Sequence, residues 1–429
     1  MDEIHGRSVL KIEIAGDDRG SLRPADGENL AIAARTAFQQ RVPLVCFVAS
    51  SGAAVDEGIG AVHGWGTAAR EFVACSGVVP IIFCVTGPTV SGPALLLGLA
   101  DVVVMIDETF AFVSGPRMVN QFTGEDLSNE GLGGASMHSR TSGVAHFTSA
   151  DREGAVDLIG ELLSYLPDHT DTTPRLWPCA DPADRSTPEA GDLIPTTATG
   201  SYDVRDVLSC VVDDGHLLEP RAQWATNLIT AFATIAGRPV GLVANQPQSM
   251  AGTLDIPASQ KGARFVAFCD AFNLPLVTFV DTSGFYPGKD LEWRGMIRYG
   301  AQLAFAYARA TVPRVCVTLR KSYGGAYIVM DSRYMGNDLM LAWPTAEIAV
   351  MGAKGAVEIL HRNADADERA ELESSYEDRL LNPYIAAERG SVDRIIEPAD
   401  TRSELASALE ILAGKRERIP RRRHDNGPL

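Results

Sequence analysis

The chain carries one strand-and-turn plan twice. The first copy runs from Val42-Pro43-Leu44-Val45 to Ser50-Ser51-Gly52, continues through Val79-Pro80-Ile81-Ile82 and closes at Ser91-Gly92. The second runs from Leu274-Pro275-Leu276-Val277 to Thr282-Ser283-Gly284, then Val312-Pro313-Arg314-Val315, and closes at Tyr323-Gly324-Gly325-Ala326. In both, the second proline stands the same distance before the last glycine, 92 − 80 = 12 and 325 − 313 = 12. A repeat of this size means two like domains, and 429 residues are enough for each to bury its own core.

Each copy reads as a helix (28–40; 259–272), an apolar strand, a Ser/Gly turn, a loop and helix, a second strand and the glycine turn. Short continuous β-branched runs between helical patterns predict strands buried on both faces, an α/β architecture. A further strand follows each glycine turn, at 102–106 and 338–341, and leads to a second turn, Ser114-Gly115-Pro116 or Met351-Gly352-Ala353. Residues 167–200 are rich in Pro, Asp, Thr and Ser without an apolar period. The expected domains are therefore 1–166 and 203–429, joined by a connector at 167–202. A charged helix is expected at 365–379 and a last helix at 404–412, before a basic tail from Lys415 to Leu429.

A formal net charge of −17 argues against nucleic acid or an anionic membrane as the main partner. The longest apolar run, 94–105, is interrupted by Asp101 and too short to span a bilayer. The opening Met1-Asp2-Glu3 lacks the features of a signal peptide, so a cytoplasmic location is expected. Seven scattered cysteines without CxxC or zinc spacing read as free thiols, mostly buried, and no metal is expected.

A strand running into Gly-Gly-Ala and a helix points consecutive unpaired N–H groups at one place, where the helix dipole also favours negative charge. Such a turn can hold an oxyanion, and glycine there allows close approach of a carbonyl. A single Gly-Gly pair is equally explained by close helix–strand packing; two at matched spacing suggest chemistry with two enolate-like partners. GxSxG, GxxxxGK and HExxH motifs are absent from the sequence. Gly58-Ile59-Gly60 does not open a helix directly after a strand, as a dinucleotide site requires. The histidines at 63, 138, 146 and 361 are scattered and read as structural or surface residues, and Gly124-Glu125-Asp126 reads as a helix-start cap. Catalysis by backbone donors is the leading reading.

The residues then resemble a known family. Ala244-Asn245-Gln246-Pro247, Asp281-Thr282-Ser283-Gly284-Phe285, Arg320-Lys321-Ser322-Tyr323-Gly324-Gly325-Ala326-Tyr327 and Trp343-Pro344-Thr345-Ala346-Glu347 are similar to the carboxyltransferase β subunit of biotin-dependent acyl-CoA carboxylases. So are Thr123-Gly124-Glu125-Asp126, Gly133-Gly134-Ala135, Thr141-Ser142-Gly143-Val144-Ala145-His146, Asn382-Pro383-Tyr384 and the closing Arg421-Arg422-Arg423-His424. The resemblance implies two tandem crotonase-type spiral α/β domains. Its active site would lie between the first domain of one subunit and the second domain of a partner, in a homo-oligomer built as two stacked trimers, a trimer of dimers. It implies biotin on a separate carrier protein, a partner biotin carboxylase and carrier subunit, and an acyl-CoA thioester as substrate. Carboxybiotin would lose CO2 in the site, the biotin enolate would take the acyl α-proton, and the acyl enolate would capture CO2. By the same resemblance Gly325 and Ala326 hold the biotin oxygen, and Ser91 and Gly92 the thioester oxygen. Gly324, Gly52, Ala53, Gly134 and Ile328 are the implied substrate-binding positions, with apolar Ile328 facing the acyl group.

The first copy departs from the family pattern. Ser91-Gly92-Pro93 stands where the family keeps Gly-Gly-Ala, and Pro93 has no N–H to donate, leaving Gly92 and the Ser91 N–H. Ala54 replaces an arginine, and Arg117 and Asn120 stand where an acidic residue and a lysine are usual. The biotin half is thus expected to be conventional and the acyl half altered, with a decarboxylase subunit or a non-catalytic partner of an active paralogue as the other readings.

Overall fold

The repeat in the sequence becomes a repeat of sheets in the computed structural model, which describes residues 1–14, 20–197, 199–415, 417, 419 and 426–428. The Arg421-Arg422-Arg423-His424 motif lies outside the described residues. The chain forms two units: Met1–Arg175 with Pro220–Trp224 and Ala271–Asn273, and Leu176–Glu219 with Ala225–Asp270 and Leu274–Leu429.

In the first unit the strands are β1 (Asp2–Ile4), β2 (Arg7–Ile14), β3 (Leu44–Ser50), β4 (Ile81–Val90), β5 (Val102–Ile106), β6 (Ala111–Phe112) and β7 (Phe147–Ser149). They lie in the order β1-β2-β3-β4-β5-β7, with β6 paired to the far end of β4. The second unit has β8 (Leu228–Ile235), β9 (Arg238–Asn245), β10 (Leu276–Thr282), β11 (Arg314–Tyr323), β12 (Leu339–Ala342), β13 (Glu347–Ala349) and β14 (Arg394–Ile395). Their order, β8-β9-β10-β11-β12-β14 with β13 on β11, reproduces the first sheet strand for strand. Among the strands of the described residues, only the opening pair of each sheet is antiparallel. Each opening hairpin turns through two residues of positive φ, His5-Gly6 and Ala236-Gly237, as a two-residue hairpin requires.

The expected helices form, with shifted ends: Pro24–Gln40, Ile256–Ala271, Ala366–Tyr376 and Thr401–Ile411. Pro24–Gln40, Ile256–Ala271 and Thr401–Ile411 bury apolar faces on sheets whose central strands are buried throughout, such as Leu276–Thr282, whereas Ala366–Tyr376 buries no residue. One core gathers Leu30, Phe72, Phe83 and Val103, the other Val207, Leu242, Phe279, Val317 and Leu409. The 167–202 stretch has few apolar residues, yet Ala190, Ile194 and Tyr202 enter the second core. Arg402, fully buried on the last helix, ties that stretch down through the carbonyls of Asp181 and Pro182. The Gly124 reading is corrected: in the left-handed conformation it ends the helix Pro116–Thr123, its N–H donating to Asn120 O at 2.8 Å. No helix among the described residues is long and apolar enough to cross a membrane.

Candidate active site

Both glycine turns are built by the same irregularity. The parallel pairing of β3 with β4 slips by two residues between Val48 and Ser50, and that of β10 with β11 between Val280 and Thr282. Ser50 then faces Thr89, and Thr282 faces Ser322. Counting on from those pairs, Ser91, Gly92 and Pro93 are the counterparts of Gly324, Gly325 and Ala326. The neighbouring turns match as well. Gly52 N–H donates to Ser50 Oγ (3.2 Å) and Gly284 N–H to Thr282 Oγ1 (3.3 Å). Leu22 N–H donates to Gly52 O (2.7 Å) and Leu254 N–H to Gly284 O (3.1 Å).

In the second unit the helix Gly324–Val329 starts directly at the end of β11, so Gly325 and Ala326 are its second and third residues and their N–H groups have no intrahelical acceptor. Gly324 takes φ +59°, and a Cβ there would lie 3.1 Å from Val350 O. Gly325 is exposed, with the Phe285 ring along the side where a side chain would project. Ile328 is half-buried on the same helix. Buried charges brace both ends of the turn. On the strand side Arg320 Nε donates to Asp281 (3.0 Å), as does Tyr202 OH (2.9 Å). Burial pushes the Asp281 carboxyl up, against the opposing pull of Arg320. Tyr323 OH donates to Glu347. Beyond the helix Arg314 pairs with Asp331 at 2.7 Å, both almost wholly buried, and burial pushes that carboxyl up to about 6 despite the guanidinium.

In the first unit Gly52, Ala53, Ser91 and Gly92 come together: a Cβ on Gly52 would lie 3.1 Å from Ser91 Cβ. Gly134 pairs with Phe110 beside β6. Ser91 has φ 66° and ψ −153°, a region essentially reserved for glycine. Its N–H donates to Phe112 O at 2.9 Å. That bond corrects the expectation that the Ser91 N–H is available to a ligand: of Ser91 and Gly92, Gly92 is the one whose N–H is left. Ala54 is buried, its N–H bonded to Leu22 O, while Arg117 and Asn120 are exposed on the helix Pro116–Thr123. His138 bonds to Ala111 O and Ser142, and His146 Nδ1 accepts from Val103 N–H, so both are structural. Sequence reasoning missed Trp65 and Phe285 as rings beside Gly92 and Gly325.

Residues 15–427 match the carboxyl transferase domain. The chain belongs to the carboxyl transferase family. This carboxyl transferase is 45% identical to the propionyl-CoA carboxylase beta chain of Saccharopolyspora erythraea, over 96% of its own length and 79% of that protein. It is 45% identical to the methylmalonyl-CoA carboxyltransferase 12S subunit of Propionibacterium freudenreichii, over 90% and 75% of the two chains. The crystal structure of transcarboxylase 12S with methylmalonyl-CoA bound superposes with a TM-score of 0.94 and 43% identity, covering 96% of this chain and 80% of that one. The crotonase-type fold and the enzyme class implied by the sequence motifs are thereby established.

Proposed function

We propose that this carboxyl transferase moves a carboxyl group between biotin on a separate carrier protein and the α-carbon of a short acyl-CoA, propionyl-CoA being the leading acyl group. Biotin supplies the carboxyl group and, after giving it up, a base at its ureido oxygen. The turn Gly324-Gly325-Ala326 fits that group: its N–H groups converge at a helix start, and the exposed Gly325 carries no side chain to block approach. Gly325 and Ala326 N–H hold the ureido oxygen, and Gly92 N–H holds the thioester oxygen, each stabilising charge where it develops. Ile328 lines the acyl side, with Gly324, Gly52, Ala53 and Gly134 giving the close backbone packing that shapes the two turns.

The observation that carries this reading is the matched pair of turns, one intact and one altered, in a chain whose relatives act on CoA thioesters. Likeness to transcarboxylase 12S, described as a hexamer and multienzyme core, supports a homo-hexamer; two stacked trimers, a biotin carboxylase and carrier as partner subunits, and a cytoplasmic location complete the proposal. A non-catalytic partner is the second reading, favoured by one fact: Ser91 N–H is engaged and Pro93 has none. One assay tests both. Labelled methylmalonyl-CoA is incubated with the protein and free biotin, and label on biotin is measured. The wild type transfers label, and Gly325→Val, whose side chain keeps the ligand oxygen away from the turn's N–H groups, lowers the rate by about two to three orders of magnitude, the cost of an oxyanion donor put out of reach. Transfer by Gly325→Val at the wild-type rate removes the oxyanion assignment, and no transfer by the wild type favours the non-catalytic reading.

A further inference from the structure

The first glycine turn is short of donors. Of its three positions, Ser91 spends its N–H on Phe112 O and Pro93 has none, so Gly92 alone remains. Its counterpart in the second unit keeps an N–H at both Gly325 and Ala326. Charge on one oxygen is ordinarily met by two donors, and each is worth about 10²–10³ in rate.

A side-chain donor lies beside the deficient turn. Trp65 projects from the helix Ile59–Cys75, and its indole lies against Gly92: a Cβ on that glycine would sit 3.0 Å from both Nε1 and Cε2 and 3.1 Å from Cζ2. The nitrogen-bearing side of the ring is thus the side turned to the glycine. The ring is half-buried, and among the described residues its N–H has no hydrogen-bond partner. Indole N–H groups in partly buried rings ordinarily find one. The ring is also held in place by the backbone. The helices Pro24–Gln40 and Ile59–Cys75 cross so closely that a Cβ on Gly27 would fall 2.2–2.4 Å from the Gly64 main chain, one residue before Trp65. In the second unit the ring beside Gly325 is Phe285, which has no donor and comes from the turn after β10.

We propose that Trp65 is a further catalytic residue: its Nε1–H is the second donor to the acyl thioester oxygen, replacing the N–H that Pro93 lacks. The assignment rests on the placing of the acyl thioester at Ser91-Gly92 above. Trp65 transfers no proton. As the α-proton passes to the ureido oxygen of the decarboxylated biotin, the C–H bonding pair becomes the Cα=C π bond and the carbonyl π pair moves onto the thioester oxygen, where the indole and Gly92 N–H groups meet the charge. When the α-carbon bonds CO2 the carbonyl re-forms and both hydrogen bonds weaken.

The test uses the full chain and three variants. Trp65→Phe keeps a ring and removes only the donor, so kcat for label transfer from methylmalonyl-CoA to free biotin falls about 10²-fold, while KM for the CoA thioester moves less than about threefold. Pro93→Ala in the Trp65→Phe background restores a backbone N–H and recovers at least about tenfold. As a readout apart from turnover, methylmalonyl-CoA alone changes the tryptophan fluorescence of the wild type, and Trp65→Phe loses that component. Trp65→Phe turnover within about threefold of wild type, or a loss that Pro93→Ala leaves unrepaired, overturns the proposal. Gly325→Val separates the failures: if it abolishes transfer while Trp65→Phe does not, the indole role falls and the two-turn reading stands.

Discussion

Ser91→Gly should stabilise this protein, although it removes a side chain and adds chain entropy. Ser91 sits at φ 66° and ψ −153° as the first residue of the glycine turn, where its counterpart Gly324 takes φ +59°. A side chain in that region costs about 1–3 kcal/mol. Glycine returns about 0.5–1 kcal/mol of the gain by making the unfolded chain more flexible. Ser91 is exposed and its hydroxyl has no partner among the described residues, so little packing is lost. The net expectation is a gain of about 1 kcal/mol, or about 2–4 °C in the unfolding midpoint for a unit of this size. The reverse change, Gly324→Ser, meets both the dihedral and the Val350 carbonyl 3.1 Å from its new Cβ, and should lower the midpoint by at least as much. Calorimetry of the two variants beside the wild type measures both signs. A lower midpoint for Ser91→Gly, or an unchanged one for Gly324→Ser, would refute the claim that backbone strain is held at the first turn and relieved by glycine at the second.

Arg402→Met should cost about 3–5 kcal/mol, because it strips Asp213 of a buried charge partner at 2.6 Å and leaves the carbonyls of Asp181, Pro182 and Val211 without their donor. Limited proteolysis within 176–219 should accelerate in that variant; an unchanged cleavage pattern would count against the anchoring role. Burial raises the Asp213 carboxyl, but the Gly237 N–H, Arg402, Thr234 and Ala236 N–H outweigh it and hold it below the ordinary carboxylate range. Its stabilisation is therefore complete above about pH 4 and lost as pH falls through the lower folded value, so Asp213→Asn should flatten the acid limb of the stability profile. An equally steep limb in denaturant titrations of Asp213→Asn would show that other groups carry it. Gly27→Ala places a methyl group against the Gly64 backbone and should destabilise by about 1–3 kcal/mol, with a shift in Trp65 emission as the two helices part. Unshifted emission would mean that the helix crossing does not position the ring.

Much of this architecture was legible along the chain because the signals were local or periodic. Continuous β-branched runs marked the central strands, and the equal proline-to-glycine intervals located both turns. Signals were lost where partners lie far apart in sequence. Nothing in His5-Gly6 or Ala236-Gly237 announces that two hairpins open equivalent sheets. Residues 167–202 have the composition of a linker, yet Tyr202 and a carboxylate 79 residues away, Asp281, meet at 2.9 Å. At the candidate site the chain by itself determined that Pro93 cannot donate, since that is a property of one residue's covalent structure. Only the tertiary structure decided that the Ser91 N–H is already spent on Phe112 and that the Trp65 indole lies against Gly92. Those two facts arise from strand register and from a helix crossing at Gly27 and Gly64, and both depend on where the folded chain brings distant residues rather than on what the neighbours in sequence are.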